Sequence, residues 1–254
     1  MKDELLDKVI SSKKTCYFVS PHFDDAVLSA GALAGYLKDQ GNKVVVINIF
    51  TQAGPRPYTL SAKAYLRQCQ YVNAERLYED RHREDHNALA SIADQVINLG
   101  FTDALWRPKH SGLSRHFGKA LPELGVVYPT YRLHITKGKL ARSDRPTVTE
   151  IMRKLESVIE SEDPAVFCPL GIGNHIDHVI TRMVCDELFS NPIHWADYPY
   201  NLSNGDKAKA TEMKSFSFDQ GQAEKGLLIE KYKSQYKALF PDTPQLMAEV
   251  FYYE

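Results

Sequence analysis

The sequence predicts an α/β fold: a mostly parallel β-sheet with helices on both faces. Three observations carry that expectation. Short apolar runs alternate with longer amphipathic ones through the first 100 residues. The apolar runs are nearly continuous, as strands buried on both faces require. Histidines and acids follow directly on two of them, and open parallel sheets bind ligands beyond their strand ends.

Taken in order, "TCYFVS" (15–20) reads as a buried strand and "DAVLSAGALAGYLKDQG" (25–41) as a helix closed by Gly41. "KVVVINIFT" (43–51) is a second strand, rich in β-branched residues. Residues 61–95 carry a helical pattern long enough for two helices, and "QVINLG" (95–100) reads as a further strand. Residues 101–146 break the rhythm with scattered Pro, Gly, basic and aromatic residues. They are expected to be an irregular insertion, covering substrate or an assembly surface, in a single domain spanning 1–254. "TVTEIMRKLESVIES" (147–161) predicts a helix and "AVFCPLG" (165–171) a strand. "HWADYPYNL" (194–202) reads as a strand and turn, "NGDKAKATEMK" (204–214) as a solvated loop, and Gly221 to Phe240 as helical.

Composition narrows the function classes. A hydrophobic fraction of 43%, 25% charged residues and a formal net charge of −1 are ordinary for a soluble globular protein. No global field favours nucleic acid, which is not expected as a partner. No segment approaches the roughly 20 apolar residues of a membrane span. "MKDELLDKVISSKK" (1–14) lacks the apolar stretch of a secretory signal. Cys16, Cys69, Cys168 and Cys185 are far apart and form no CxxC pair, and Cys16 and Cys168 fall in apolar runs. A reducing, cytoplasmic location is expected.

Chemistry concentrates in two places. "VSPHFDDAVLSAG" (19–31) ends a strand in His22, Asp24 and Asp25. Two buried neighbouring carboxylates cost several kcal/mol, on the order of known penalties for unpaired charge, unless something positive compensates them. "GIGNHIDHVITR" (171–182) repeats the arrangement with His175, Asp177 and His178. Each cluster has a bland reading: a histidine on a turn is usually a surface or capping residue, and Asp24 or Asp25 suits a helix N-cap. Two such clusters at strand ends favour a divalent metal instead. His22, Asp25 and His178 make a three-ligand set with a position open for water, and Asp24 is left to act as its base.

The residues resemble a known family. "PHFDD" (21–25) with "HIDH" (175–178) is similar to the PHPDDE and HPDH motifs of the PIG-L, or LmbE-like, metal-dependent N-deacetylases. "FTQAG" (50–54), "RHREDHNALASI" (81–92), "DYPY" (197–200) and "EKYKSQYKALF" (230–240) resemble further family segments, so the likeness covers most of the chain outside 101–146. It implies a Rossmann-like three-layer sandwich and removal of the acetyl group from an N-acetylated amino sugar or glycoconjugate. It also implies His22, Asp25 and His178 as metal ligands and Asp24 as general base. His175 would polarise the carbonyl or protonate the leaving amine, and Asp177 would orient a neighbouring histidine. Zinc is the default ion, and ferrous iron suits the same ligands. Three departures stand out: Phe23 replaces the usual proline, Ala26 the usual glutamate, and Gly173 a tyrosine that some members place near the oxyanion.

Arg81, Arg83, Asp197 and Tyr200 are the candidates for substrate binding, although a solvent-facing arginine or a packing tyrosine would look the same in sequence. His110, His116 and His134 lie in the irregular segment without compact ligand spacing. Two other readings compete. Two histidines and a carboxylate also describe the facial triad of non-haem iron(II) oxygenases, though Asp24 and a parallel sheet suit hydrolysis better. A non-catalytic carbohydrate-binding protein would keep the fold without needing the full ligand set and its adjacent acid.

Overall fold

The computed structural model describes residues 4–109, 118, 120–202, 210–240 and 243–254. Strand β1 (Cys16–Ser20) is buried at every position, because helices cover both faces of the sheet around it. Phe18 packs into one apolar core and Tyr17 and Val19 into another on the opposite face, as the period-two geometry of a strand dictates. Around it lie β2 (Val44–Gln52), β3 (Gln95–Thr102), β4 (Ala165–Pro169) and β5 (Ile193–Trp195), all parallel to β1. With β6 (Lys214–Phe218) and β7 (Glu249–Tyr253), the sheet order is β3-β2-β1-β4-β5-β7-β6.

The chain leaves β1 in one direction to build β2 and β3, and later returns to lay β4 on the other side of β1. That reversal is the switch point at which open α/β sheets gather a ligand site. It also explains how two clusters about 150 residues apart meet: each follows one of two hydrogen-bonded neighbours, β1 and β4. The chain after each strand enters a helix, α2 (Asp25–Asp39) from β1 and the helix Ile176–Leu188 from β4. Gly41 lies just past α2 with φ +82°, the left-handed conformation that ends helices.

The remaining helices are α1 (Glu4–Ser11), α3 (Leu60–Gln68), α4 (Ala74–Leu89), the single turn α5 (Pro122–Gly125) and α6 (Arg145–Val158). They are followed by α7 (Ile176–Leu188), α8 (Gln222–Ile229) and α9 (Lys233–Leu239). Among the described residues, no helix is long and apolar enough to cross a membrane.

Three expectations change. The stretch 194–202 is strand only at its start, where it joins Ile193–Trp195, and then turns into the 3-10 segment Tyr200–Leu202. Of 204–214, expected as a solvated loop, residues 204–209 lie outside the described residues and Lys214 opens a strand. Two strands, β6 (Lys214–Phe218) and β7 (Glu249–Tyr253), add an antiparallel edge that the sequence reading did not anticipate. Finally, the irregular segment begins later than 101. Strand β3 continues to Thr102, and Ala104, Leu105 and Trp106 are core residues, because "FTDALW" supplies apolar side chains beside the site. His110 and His116 are outside the described residues, and His134 pairs through Nδ1 with Thr130 Oγ1 at 2.8 Å.

Candidate active site

Ser20, the last residue of β1, shapes the first turn. Its hydroxyl donates to the His22 carbonyl at 2.7 Å and accepts from Ala26 N–H at 3.1 Å, so the chain doubles back at once into α2. Asp24 occupies the N-cap position of α2 yet makes no capping bond with its side chain. The capping explanation therefore fails for it, and its carboxylate faces a pocket instead. Arg81 approaches one of its oxygens at 3.4 Å, lying face-on to the Tyr78 ring. Burial and the charge of Asp25 push the Asp24 carboxyl above its ordinary value, with Arg81 and His22 acting against that rise.

Asp25 is the focus of the cluster. Its Oδ2 accepts from the His22 backbone N–H at 2.9 Å and lies 3.0 Å from His22 Nδ1 and 3.4 Å from His178 Nε2. Although burial opposes ionisation, the two histidines hold this carboxyl well below the usual range. The opposite ring nitrogens are also occupied: His22 Nε2 lies 3.2 Å from Asp177 Oδ2, and His178 Nδ1 2.6 Å from Asp197 Oδ1. Burial disfavours charge on His22, but bonds to Asp177 and Asp25 outweigh it and raise this imidazole to about 10.

These residues fit a divalent ion. The donor atoms of His22, Asp25 and His178 all lie within 4.8 Å of one another. Each histidine has its far nitrogen on a carboxylate, the arrangement that fixes tautomer and ring orientation in metal sites. A second group, His22, His175 and Asp177, meets the same distance criterion. It is the poorer site, because its acid and its imidazole have other work. Asp177 is ion-paired with Arg107 and accepts from Ala104 N–H at 2.8 Å. His175 caps α7, its Nδ1 accepting from Asp177 N–H at 3.3 Å. Burial and the neighbouring His22 charge push His175 down to about 3, so it stays neutral with its proton on Nε2.

The pocket over this cluster has a volume of about 100 Å3 and is walled by Tyr65, Arg81, Asp103, Tyr131 and Tyr200.

The profile of the PIG-L family, described as GlcNAc-PI de-N-acetylase, matches residues 17–189, which contain both clusters. The chain belongs to the PIG-L family. Its fold is shared by a deacetylase of teicoplanin biosynthesis (TM-score 0.74, 22% identity, covering 94% of this chain and 97% of that one). The zinc-inhibited form of the teicoplanin deacetylase Orf2 superposes similarly (TM-score 0.73, 22% identity, 94% and 97%). The A40926 pseudoaglycone deacetylase Dbv21 follows (TM-score 0.69, 21% identity, 94% and 96%). No curated protein matches the sequence. At these identities the structural likeness speaks to fold, while the reaction must be argued from the PIG-L site itself.

The four substrate-binding candidates separate. Arg81 and Tyr200 line the pocket. Arg83 does not: two residues along α4 it projects from another face, pairs with Asp80, and keeps a side chain 64% exposed. Asp197 is fully buried with both oxygens used, on His178 Nδ1 and on Ile172 N–H at 2.8 Å. It holds a histidine rather than facing a sugar. Asp177 likewise orients His22 with its carboxylate, and reaches His175 only through its backbone N–H.

Several pocket residues escaped the sequence reading. Asp103 accepts a hydrogen bond from the Tyr78 hydroxyl at 2.6 Å and lies 3.5 Å from His22 Nε2. A signal existed, since "QVINLGFTD" ends in an acid just after a strand, as the other clusters do. Tyr65 and Tyr131 carried none, and neither did Arg107, the buried partner of Asp177, because no local pattern shows that they turn inward.

Proposed function

We propose that this PIG-L protein is a metal-dependent hydrolase that removes the acetyl group from an N-acetylated amino sugar or glycoconjugate. The observation that carries the reading is Asp24: buried, unused as a cap, with raised proton affinity, beside a three-donor set of His22, Asp25 and His178. A divalent ion held by those three residues supplies a Lewis acid, which in favourable sites acidifies water from about 15.7 towards 7.

The chain's own residues do the rest. Asp24 accepts the proton of the attacking water, and burial with Asp25 alongside makes it a stronger base than an exposed carboxylate. Arg81 holds Asp24 from the side and keeps its oxygen directed into the pocket. His175, neutral with its proton on Nε2, donates a hydrogen bond to the carbonyl oxygen, and the proton that Asp24 took from the water passes on to the departing nitrogen. Asp177 and Asp197 keep His22 and His178 in the tautomers that leave one nitrogen of each turned to Asp25. Asp103 and Arg81 offer polar contacts to the sugar at the pocket wall.

Zinc is the ion proposed, with ferrous iron the alternative. A related enzyme adopts a zinc-inhibited form, so excess zinc is expected to inhibit here as well. The partner is a small N-acetylated sugar or its conjugate rather than nucleic acid. Four buried free cysteines support a reducing cytoplasmic setting. An oxygenase reading draws no support from the parallel sheet or from the adjacent base.

The test is acetate release from a panel of N-acetylated sugars and sugar conjugates, with zinc or ferrous iron titrated from substoichiometric to excess. Metal-dependent release abolished in Asp24→Asn is the expected result. A folded, metal-loaded protein that releases no acetate from any member of the panel sinks the proposal.

A further inference from the structure

Gln235 is 2% exposed on α9 and lines the pocket over the His22, Asp25 and His178 cluster. Its amide Nε2 is buried and has no hydrogen-bond partner among the described residues. A buried amide without a partner costs stability, so folded proteins keep few of them, and each one that remains calls for a reason.

A loose backbone is not that reason, because the chain is pinned on both sides of Gln235. Ser234 donates twice to Glu84 of α4, through its N–H at 2.9 Å and its hydroxyl at 2.6 Å. The Gln235 N–H donates to the Tyr232 carbonyl at 3.2 Å. The Tyr232 hydroxyl in turn lies 2.8 Å from Asp85 Oδ1 and 3.2 Å from the carbonyl oxygen of Phe23, the residue between His22 and Asp24. Towards the other end of α9, Gln68 Nε2 donates to the Ala238 carbonyl at 3.2 Å. The helix is thus tied to α3, to α4 and to the turn after β1, and it presents one amide that the scaffold does not use.

The surroundings indicate what would use it. Leu239, one turn further along α9, and Leu28, one turn beyond Asp24 on α2, line the same pocket. A sugar ring matches such a wall, with C–H faces for the apolar side chains and hydroxyls for the polar one. A hydroxyl both donates and accepts, and so does a primary amide. The amide is also neutral, so it adds no charge beside Asp24 and Asp25.

We propose that Gln235 is a specificity-determining residue whose amide takes a ring hydroxyl of the substrate sugar. The inference rests on the deacetylase reading above and adds the contact that separates an acetylated sugar from other acetamides. A site built to hold a hydroxyl rejects the analogue that lacks it, since its own polar group is then left unpaired. The orphaned amide gains its partner when the sugar binds, and no bond to Gln235 forms or breaks.

The experiment compares wild type with Gln235→Met, which keeps the side-chain length and removes the amide, after checking metal content in each. The substrate is the sugar of the panel that releases acetate fastest. The competitor is N-cyclohexylacetamide, an acetamide on a six-membered ring without hydroxyls. Q235M should lose about tenfold in kcat/KM on the sugar, carried mainly by KM, the size of one neutral hydrogen bond. The inhibition constant of N-cyclohexylacetamide should change less than threefold. A second readout needs no turnover: the thermal midpoint of metal-free Q235M should equal that of wild type or exceed it by about 2 °C, because an apolar group replaces an unpaired one. A lower midpoint means that the scaffold uses the amide, and it overturns the inference. An equal weakening of sugar and competitor, or no loss on the sugar, overturns it as well. Wild type that releases no acetate overturns the deacetylase reading, whereas active wild type with an unselective Q235M removes the Gln235 role alone.

Discussion

The turns after β1 and β4 look alike in sequence, each a strand followed by histidine, acids and a helix, yet the fold uses them differently. In the first, Asp24 and Asp25 face inward and are balanced by two histidines and Arg81. In the second, nearly every polar group is held by the scaffold: His175 caps α7, Asp177 is ion-paired with Arg107, and His178 rests on Asp197. The first turn carries reactive charge and the second carries orientation. Similar residue patterns therefore do not imply similar energetics, since the surrounding partners decide whether a carboxylate is poised or neutralised.

Substitutions on either side should separate those roles. The largest effect is expected at Asp24→Asn, with activity down by about 10³-fold, within the range for losing a general base, and metal content unchanged. Loss of metal together with activity would instead make Asp24 a ligand, and the contrast between the turns would collapse. Asp177→Asn should act mainly on stability. It leaves Arg107 buried with Asp144 as its remaining ion-pair partner, costing about 3 kcal/mol in urea unfolding, the lower end of the range for a broken buried pair. Asp197→Asn should weaken metal affinity by about 10–100-fold, measured by competition with a chelator, while folding is largely retained.

The pH dependence sharpens the same distinction. Burial penalises the Asp177 charge, but Arg107 and His22 outweigh that and lower its pKa. Its contribution to stability is fully present above the ordinary value near 3.8 and is lost as pH falls below it. Unfolding midpoints of the metal-free protein between pH 5 and pH 2.5 should therefore drop more steeply for wild type than for Asp177→Asn. The smallest effect is expected for Arg83→Ala, whose side chain pairs with Asp80 in solvent, with KM and stability essentially unchanged.

Much of the fold was readable locally. The uninterrupted strands at 15–20, 43–51 and 165–171 announce burial on both faces, and Gly41 marks its helix end, because these features depend on period and on single-residue conformations. The antiparallel strands β6 and β7 were not readable: "KSFSF" is short and half polar, and becomes a strand only by pairing with "EVFYY" more than 30 residues away. In the site, His22, Asp24, Asp25, His175 and His178 stood out because acids and histidines at strand ends have few structural reasons to be there. Arg83 and Asp197 were misassigned for one reason: their chemistry suits a sugar, and only packing shows that one points to water and the other into a histidine.

What the sequence determined alone is the grammar: parallel strands, helices after them, and two turns rich in histidine and acid at strand ends. What only the tertiary structure decided is the partnering. It is the reversal of strand order at β1 and β4 that makes the turns neighbours, the inward fold of "FTDALWR" that sets Asp103 and Arg107 beside His22 and Asp177, and the approach of the Tyr200 ring to Gly173 that walls the pocket. Those contacts join residues tens to hundreds of positions apart, and their energies depend on distance and burial, neither of which a local pattern contains.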